Sequence, residues 1–170
     1  MAHGKKQRNS YRRRLESKTD YHRRLRLLKS GVPRAVVRIS NTQVTCQLTN
    51  YSKEGDHVLT SFTGTDLQKH GYPHDASKKS VPASYLAGFA LGKKAISSGV
   101  NEAILDIGLS SASSGSRVFS ALKGMVDAGL EVPHGEDILP SDERVNGEHI
   151  SDSLSKVFDK TKKSLEGAFK

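Results

Sequence analysis

Apolar positions along this chain shift from helical spacing to strand-like alternation and back. Tyr21, Leu25 and Leu28 recur at i, i+4 and i+7, which predicts a helix running to about Ser30. Ser17 or Thr19 would cap it, and Gly31 ahead of Val32 and Pro33 would stop it, with Arg23, Arg24 and Arg26 projecting on the side opposite the stripe. Residues 35–40 and 44–49 then alternate with period two and predict strands joined by a tight turn at Asn41 and Thr42, with a third strand over 57–63. The alternation places Ala35, Val37 and Ile39 with Val44, Cys46 and Leu48 on one face, and Arg38, Thr45, Gln47 and Thr49 on the other.

Beyond a loop containing Gly71, Pro73 and Pro82, residues 83–98 are apolar almost all round, as a core helix packed closely through Ala87, Gly88 and Gly92 should be. Residues 103–107 (AILDI) form a short apolar run typical of a buried central strand. Residues 117–128 return to helical spacing, with Val118, Leu122 and Met125 inward and Gly129 at the close. The polar stretch 130–149, interrupted by Pro133, Gly135, Pro140 and Gly147, reads as a long ordered loop or a linker. A last helix over 151–167 carries Ile150, Leu154, Val157, Phe158, Thr161 and Leu165 on one stripe, with Lys156, Lys160, Lys162 and Lys163 away from it or in the last turns. Whether that stripe meets the body or a partner is left open by the sequence. The element order predicts an α/β fold, a mixed β-sheet packed with helices, divided into a basic arm and helix (1–30), an α/β core (31–132) and a loop with a C-terminal helix (133–170).

Charge changes this picture most at the N-terminus. Residues 1–30 hold eleven Lys and Arg against two acids, whereas residues 31–170 hold sixteen of each sign, so the arm carries the whole net charge of +9. A neutral body with a concentrated cationic arm points to a polyanion, because each Lys or Arg placed on a phosphate releases condensed counterions. A membrane surface fits poorly, since residues 1–14 have almost no apolar side chains, and a transit peptide would need an amphipathic helix there. The same composition predicts that residues 2–14 are disordered in the free protein. No apolar run approaches the roughly 20 residues that span a bilayer. With no secretory h-region either, the sequence predicts a soluble cytoplasmic protein. Cys46 is the sole cysteine, which rules out an intrachain disulfide.

Catalytic signals are weak. Residues 108–116 (GLSSASSGS) join a strand to a helix, where phosphate loops occur, yet no Gly-Lys-Ser/Thr or Gly-x-Gly-x-x-Gly pattern closes them. His70 and His74 straddle Gly71 and Pro73, which is unsuited to a helical zinc pair. Cys46 sits on an apolar face and reads as packing, and Asp106, the one charge in its strand, reads as a structural acid rather than a catalytic one. No cofactor, metal site or enzymatic activity is expected.

Several blocks also resemble a known family. Residues 19–31 (TDYHRRLRLLKSG), 38–41 (RISN), 88–94 (GFALGKK), 103–109 (AILDIGL), 115–119 (GSRVF), 127–134 (DAGLEVPH) and 147–150 (GEHI) are similar, in order, to the large-subunit ribosomal protein L-eighteen of archaeal type, called L-five in eukaryotes. The resemblance implies a structural RNA-binding protein with an α/β sandwich shared with the small-subunit ribosomal protein S-eleven. It further implies binding to 5S rRNA, contact with the large-subunit rRNA and neighbouring large-subunit ribosomal proteins, and a place in the central protuberance. Family RNA contacts come mainly from the basic N-terminal segment and the nearby sheet. Carried onto this sequence they nominate Arg12, Arg13, Arg14, Lys18, Tyr21, Arg23, Arg24 and Arg26, then Arg38 and Asn41 in the hairpin; Arg8 joins them as a cation of the same arm. Tyr21 fits base stacking and core packing equally well. The rival readings are a nonspecific nucleic-acid-binding protein and a nucleotide-binding enzyme using the loop 108–116.

Overall fold

Period-two alternation becomes an antiparallel meander of β1 (Arg34–Ile39), β2 (Val44–Asn50) and β3 (His57–Thr63) in the computed structural model, which describes Gly4 and residues 8–169. Val37 pairs with Cys46 and Cys46 with Phe62, so one row of apolar side chains crosses three strands on the inner face. Arg38 pairs with Thr45 and Thr45 with Thr63 in the next row, on the outer face. The turn around Asn41 and Thr42 is held by Ser40, whose Oγ accepts from the amides of Thr42 (3.2 Å) and Gln43 (3.1 Å). β4 (Ile104–Asp106) adds to β1 in parallel, giving the mixed order β3-β2-β1-β4.

Helices α3 (Val81–Ser97) and α4 (Arg117–Asp127) cover the inner face. α3 is apolar all round because it has neighbours all round: the sheet, α4, and the C-terminal helix α6 (Asp152–Ala168). Its approach to α4 is set by Gly88, where a Cβ would stand 2.0 Å from the Ala121 carbonyl oxygen. Backbone cannot yield there as a side chain can, so Gly88→Ala should lower stability by about 3 kcal/mol. Urea denaturation reads this, and a loss below about 0.5 kcal/mol, within the range of a surface change, would contradict the close approach.

The stripe of α6 docks on the body: Leu154, Phe158, Thr161 and Leu165 are buried, while Ile150 stays exposed. Phe169 meets Phe62 edge-on at 6.2 Å. Lys162, expected to point away from the stripe or to fill the last turns, turns inward, donates to Tyr85 Oη at 2.9 Å and lies over the Tyr85 and Phe89 rings. The pull is electronic as well as polar, since ring faces attract cations. The stretch 130–149 is not plain loop; it holds a 3₁₀ turn at Glu136–Ile138 and a short helix α5 (Asp142–Asn146).

The N-terminal helix also departs from expectation. It is two pieces, α1 (Arg12–Leu15) and α2 (Tyr21–Leu28), broken at Ser17 with φ 51°. Neither Ser17 nor Thr19 caps α2; Asp20 does, its Oδ1 accepting from the amides of His22 (2.9 Å) and Arg23 (3.1 Å). The expected disorder of residues 2–14 lies in part outside the described residues (2, 3 and 5–7), and residues 12–14 belong to α1. α2 lies against the outer sheet face by only part of its expected stripe: Tyr21 and Leu28 are half-buried, but Leu25 is 55% exposed, and Arg24, placed outward by the spacing, turns in beside Leu27 and Leu28. The outer face presents Arg34 and Asp106, with Asp56 beside them, so a guanidinium matches it better than a leucine does. No helix among the described residues is long and apolar enough to cross a membrane.

Candidate nucleic-acid interface

Strand β1 begins with Arg34, one residue before the predicted start, and this arginine organises the outer face. It is 3% exposed and donates from Nη1 to Asp106 Oδ2 at 2.7 Å and from Nη2 to Asp56 Oδ2 at 2.6 Å. Asp56 in turn takes Arg24 in a two-pronged pair at 2.8 and 3.0 Å. Asp106 takes Arg38 Nη2 at 2.8 Å and the Gly108 amide at 2.9 Å, while Arg38 Nη1 donates to the Asp106 carbonyl at 2.6 Å. The result is a chain of alternating charge, Arg24, Asp56, Arg34, Asp106, Arg38, with one positive charge in excess.

Burial alone would raise the pKa of Asp106, but the Arg38 hydrogen bond and charge, the Gly108 amide and Arg34 together hold its carboxyl below the usual range. Asp56 is held low in the same way, against burial, by Arg24 and Arg34. Both carboxylates therefore remain charged at neutral pH and fix three guanidinium groups in place. Gly108 permits the last contact: at φ 63° its missing side chain leaves room for the Arg38 guanidinium, which lies 2.8 Å from where a Cβ would stand. The Gly108 carbonyl also accepts from Arg23 Nη1 at 2.7 Å, which ties α2 to the end of β4.

The nominated cations thus divide into two groups. Arg24 is engaged by Asp56 and serves mainly to dock α2, whereas Arg38 keeps 45% of its side chain exposed at the edge of the network. Arg8, Arg14 and Arg26 are exposed; Arg12 and Lys18 share Glu16 at 3.7 and 2.8 Å, and Arg13 donates to Thr19 Oγ1 at 2.8 Å. Exposed pairs of this kind are worth under about 1 kcal/mol and open readily to a phosphate. Asn41 is exposed at the hairpin tip, its carbonyl accepting from Lys79 at 2.7 Å. Tyr21 packs its ring on Tyr11 at 5.0 Å, and Tyr11 itself is 71% exposed.

Sequence reasoning passed over Tyr11, Arg34, Asp56, Lys78 and Lys79. The first had a signal, an aromatic directly before three arginines; Asp56 had none, since its partners are distant in the chain.

The other chemical candidates resolve into structure. Cys46 lies in the core, where burial pushes its thiol up to about 12. Asp106 is an ion-paired structural acid. In the loop 108–116 the Gly115 amide donates to the Ile138 carbonyl and Ser114 Oγ to the Asp137 carbonyl, so groups that a phosphate cradle needs are occupied by the chain itself. His70 packs beside Phe62 and Phe169, and no group of three His, Cys, Asp or Glu among the described residues is arranged to hold a metal ion.

The comparisons with known proteins agree with this picture. The model of the family described as ribosomal large subunit proteins 60S L5 and 50S L18 matches residues 5–101 and 97–135. The large ribosomal subunit protein uL18 of Methanoculleus marisnigri is 50% identical over 152 residues, 89% of this chain and 86% of that one. Its counterpart in Methanobrevibacter smithii is 46% identical over 168 residues, covering 94% and 86%. That of Methanococcoides burtonii is 42% identical over 174 residues, covering 99% of both. The chain belongs to the family of ribosomal large subunit proteins 60S L5 and 50S L18, structural constituents of the ribosome rather than enzymes.

Proposed function

We propose that within the large subunit this protein binds 5S rRNA and helps attach it to the large-subunit rRNA in the central protuberance, beside neighbouring ribosomal proteins. The observation that carries the reading is the arm: nearly all the excess positive charge is held on α1, α2 and their flanks, and α2 is locked to a rigid body by Asp56 and the Gly108 carbonyl. Arg8, Arg12, Arg13, Arg14, Lys18, Arg23 and Arg26 neutralise phosphates and set register. Arg38, Asn41 and the Tyr11–Tyr21 ring pair face sugar, backbone and unpaired bases, because RNA is recognised through shape, the 2′-hydroxyl and stacking.

The test is binding at about 0.15 M salt to 5S rRNA, to a scrambled RNA and to duplex DNA of equal length, with a second protein lacking residues 1–18 and so retaining Asp20 and α2. Selective binding to 5S rRNA that collapses on truncation is the expected result. Equal binding to all three nucleic acids would reduce the protein to a generic polyanion binder.

A further inference from the structure

The pairing of the strands gathers several loops at one end of the sheet. β4 runs parallel to β1, and β2 and β3 follow as an antiparallel meander, so the hairpin tip (40–43), the exit of β3 (64–65) and the exit of β4 (108–116) share that end. Residues 76–79, which lead into α3, join them, because the Val44 amide donates to the Lys78 carbonyl at 3.1 Å. Between the tip and this segment lies a cleft of about 400 Å³ lined mainly by Asn41, Thr42, Gln43, Thr65, Lys78 and Lys79.

We propose that this cleft is a second RNA-binding surface, taking the phosphodiester backbone of an RNA segment distinct from the one on the arm. The proposal rests on the RNA reading above and extends it from Asn41, which that reading includes, to Thr42, Gln43, Thr65, Lys78 and Lys79, which it does not.

The chemistry of the lining supports it. Among the described residues no carboxylate lines the cleft, and Asp66, near its Thr65 side in the chain, is already engaged with Lys69 at 3.0 Å. Lys79 Nζ donates to the neutral Asn41 carbonyl, which orients the ammonium without cancelling its charge. The hydroxyls and amides beside the two lysines are the groups that meet phosphate and sugar oxygens. The walls are rigid: Thr65 donates to Gln43 Oε1 through its hydroxyl and its amide, and Gly64 packs so tightly on the Lys78 carbonyl that no Cβ fits.

Position separates the two surfaces. The arm and α2 belong to the outer side of the sheet, where Arg23 reaches Gly108 and Lys18 shares a hollow with Arg38. Residues 76–79 belong to the helical layer on the inner side, since they run directly into α3. The hairpin tip therefore stands between two cationic surfaces.

Burial of the Cys46 thiol makes a direct test possible, because one added surface cysteine is then the only reactive one. An iron–EDTA probe is tethered at Ser77→Cys in the cleft, or at Ser10→Cys in the arm, and the full chain is bound to a mixture of 5S rRNA and large-subunit rRNA. Hydroxyl-radical cleavage at two separate sets of nucleotides is the expected result. Cleavage from Ser10→Cys alone overturns the second surface and leaves the arm reading standing; identical cuts from both probes overturn the claim of a distinct segment; cuts from neither overturn the RNA reading itself. In parallel, Lys78→Gln with Lys79→Gln should make the salt slope of RNA binding shallower by about one to two, while the Lys→Arg pair retains it. An unchanged slope in the Gln variant, with an unchanged melting temperature, overturns the proposal.

Discussion

Replacing Arg12, Arg13, Arg14 and Lys18 together with glutamine should cost RNA affinity on the order of a hundredfold at 0.15 M salt, with no loss of fold stability. These four side chains make only exposed contacts, to Glu16 and Thr19, so nothing in the body depends on them. The parent should show a log–log salt slope of roughly −4 to −7, as expected for about six to eight phosphates engaged, and the variant a slope shallower by about three to four. Titrations at a series of salt concentrations, with urea denaturation alongside, measure both quantities. Parallel slopes for parent and variant would place the RNA elsewhere on the protein.

Asp106→Ala should produce the largest change in stability, a loss of about 3–5 kcal/mol, because it leaves Arg34, at 3% exposure, without one of its two partners. The Nε of Arg34 is already buried without an acceptor, which leaves the guanidinium little means of recovery. Melting should fall by about 2–4 °C per kcal/mol in a chain of this size. Exposed Arg38 would lose the carboxylate that orients it, so RNA binding should weaken as well.

The pH dependence has a definite sign. Asp56 and Asp106 have folded pKa values below their unfolded ones, so their contribution is complete above the unfolded value near 4 and is lost as pH falls through the folded values. Stability owed to this pair should be level from pH 5 to 8 and decline below about 4, with a shallower acid decline in Asp106→Asn. A variant within about 1 kcal/mol of the parent at pH 7 would show that the network contributes little.

Much of the architecture was legible because it rests on local pattern. Period two marked β1, β2 and β3 within a residue or two, and the run 83–98, apolar almost all round, announced a core helix. The family blocks and the charged arm pointed to a ribosomal RNA partner before any fold was known. Two of the departures share one cause. Arg24 and Leu25 exchanged their expected roles, and Lys162 turned inward, because each had a partner far away in the chain: Asp56 for one, Tyr85 for the other.

By itself, then, the sequence determined the strand and helix pattern, the inward row of the sheet and the cationic arm, since these depend on side-chain period and on local composition. Tertiary structure alone decided which cations the outer-face carboxylates hold. Asp56, Arg34 and Asp106 come together only when β1, β4 and the β2–β3 connection are assembled. Lys79 meets Asn41 only once α3 is seated on the sheet. Coulomb interactions depend on distance in space rather than along the chain, so pairing of distant charges is invisible to periodicity and is fixed by the fold.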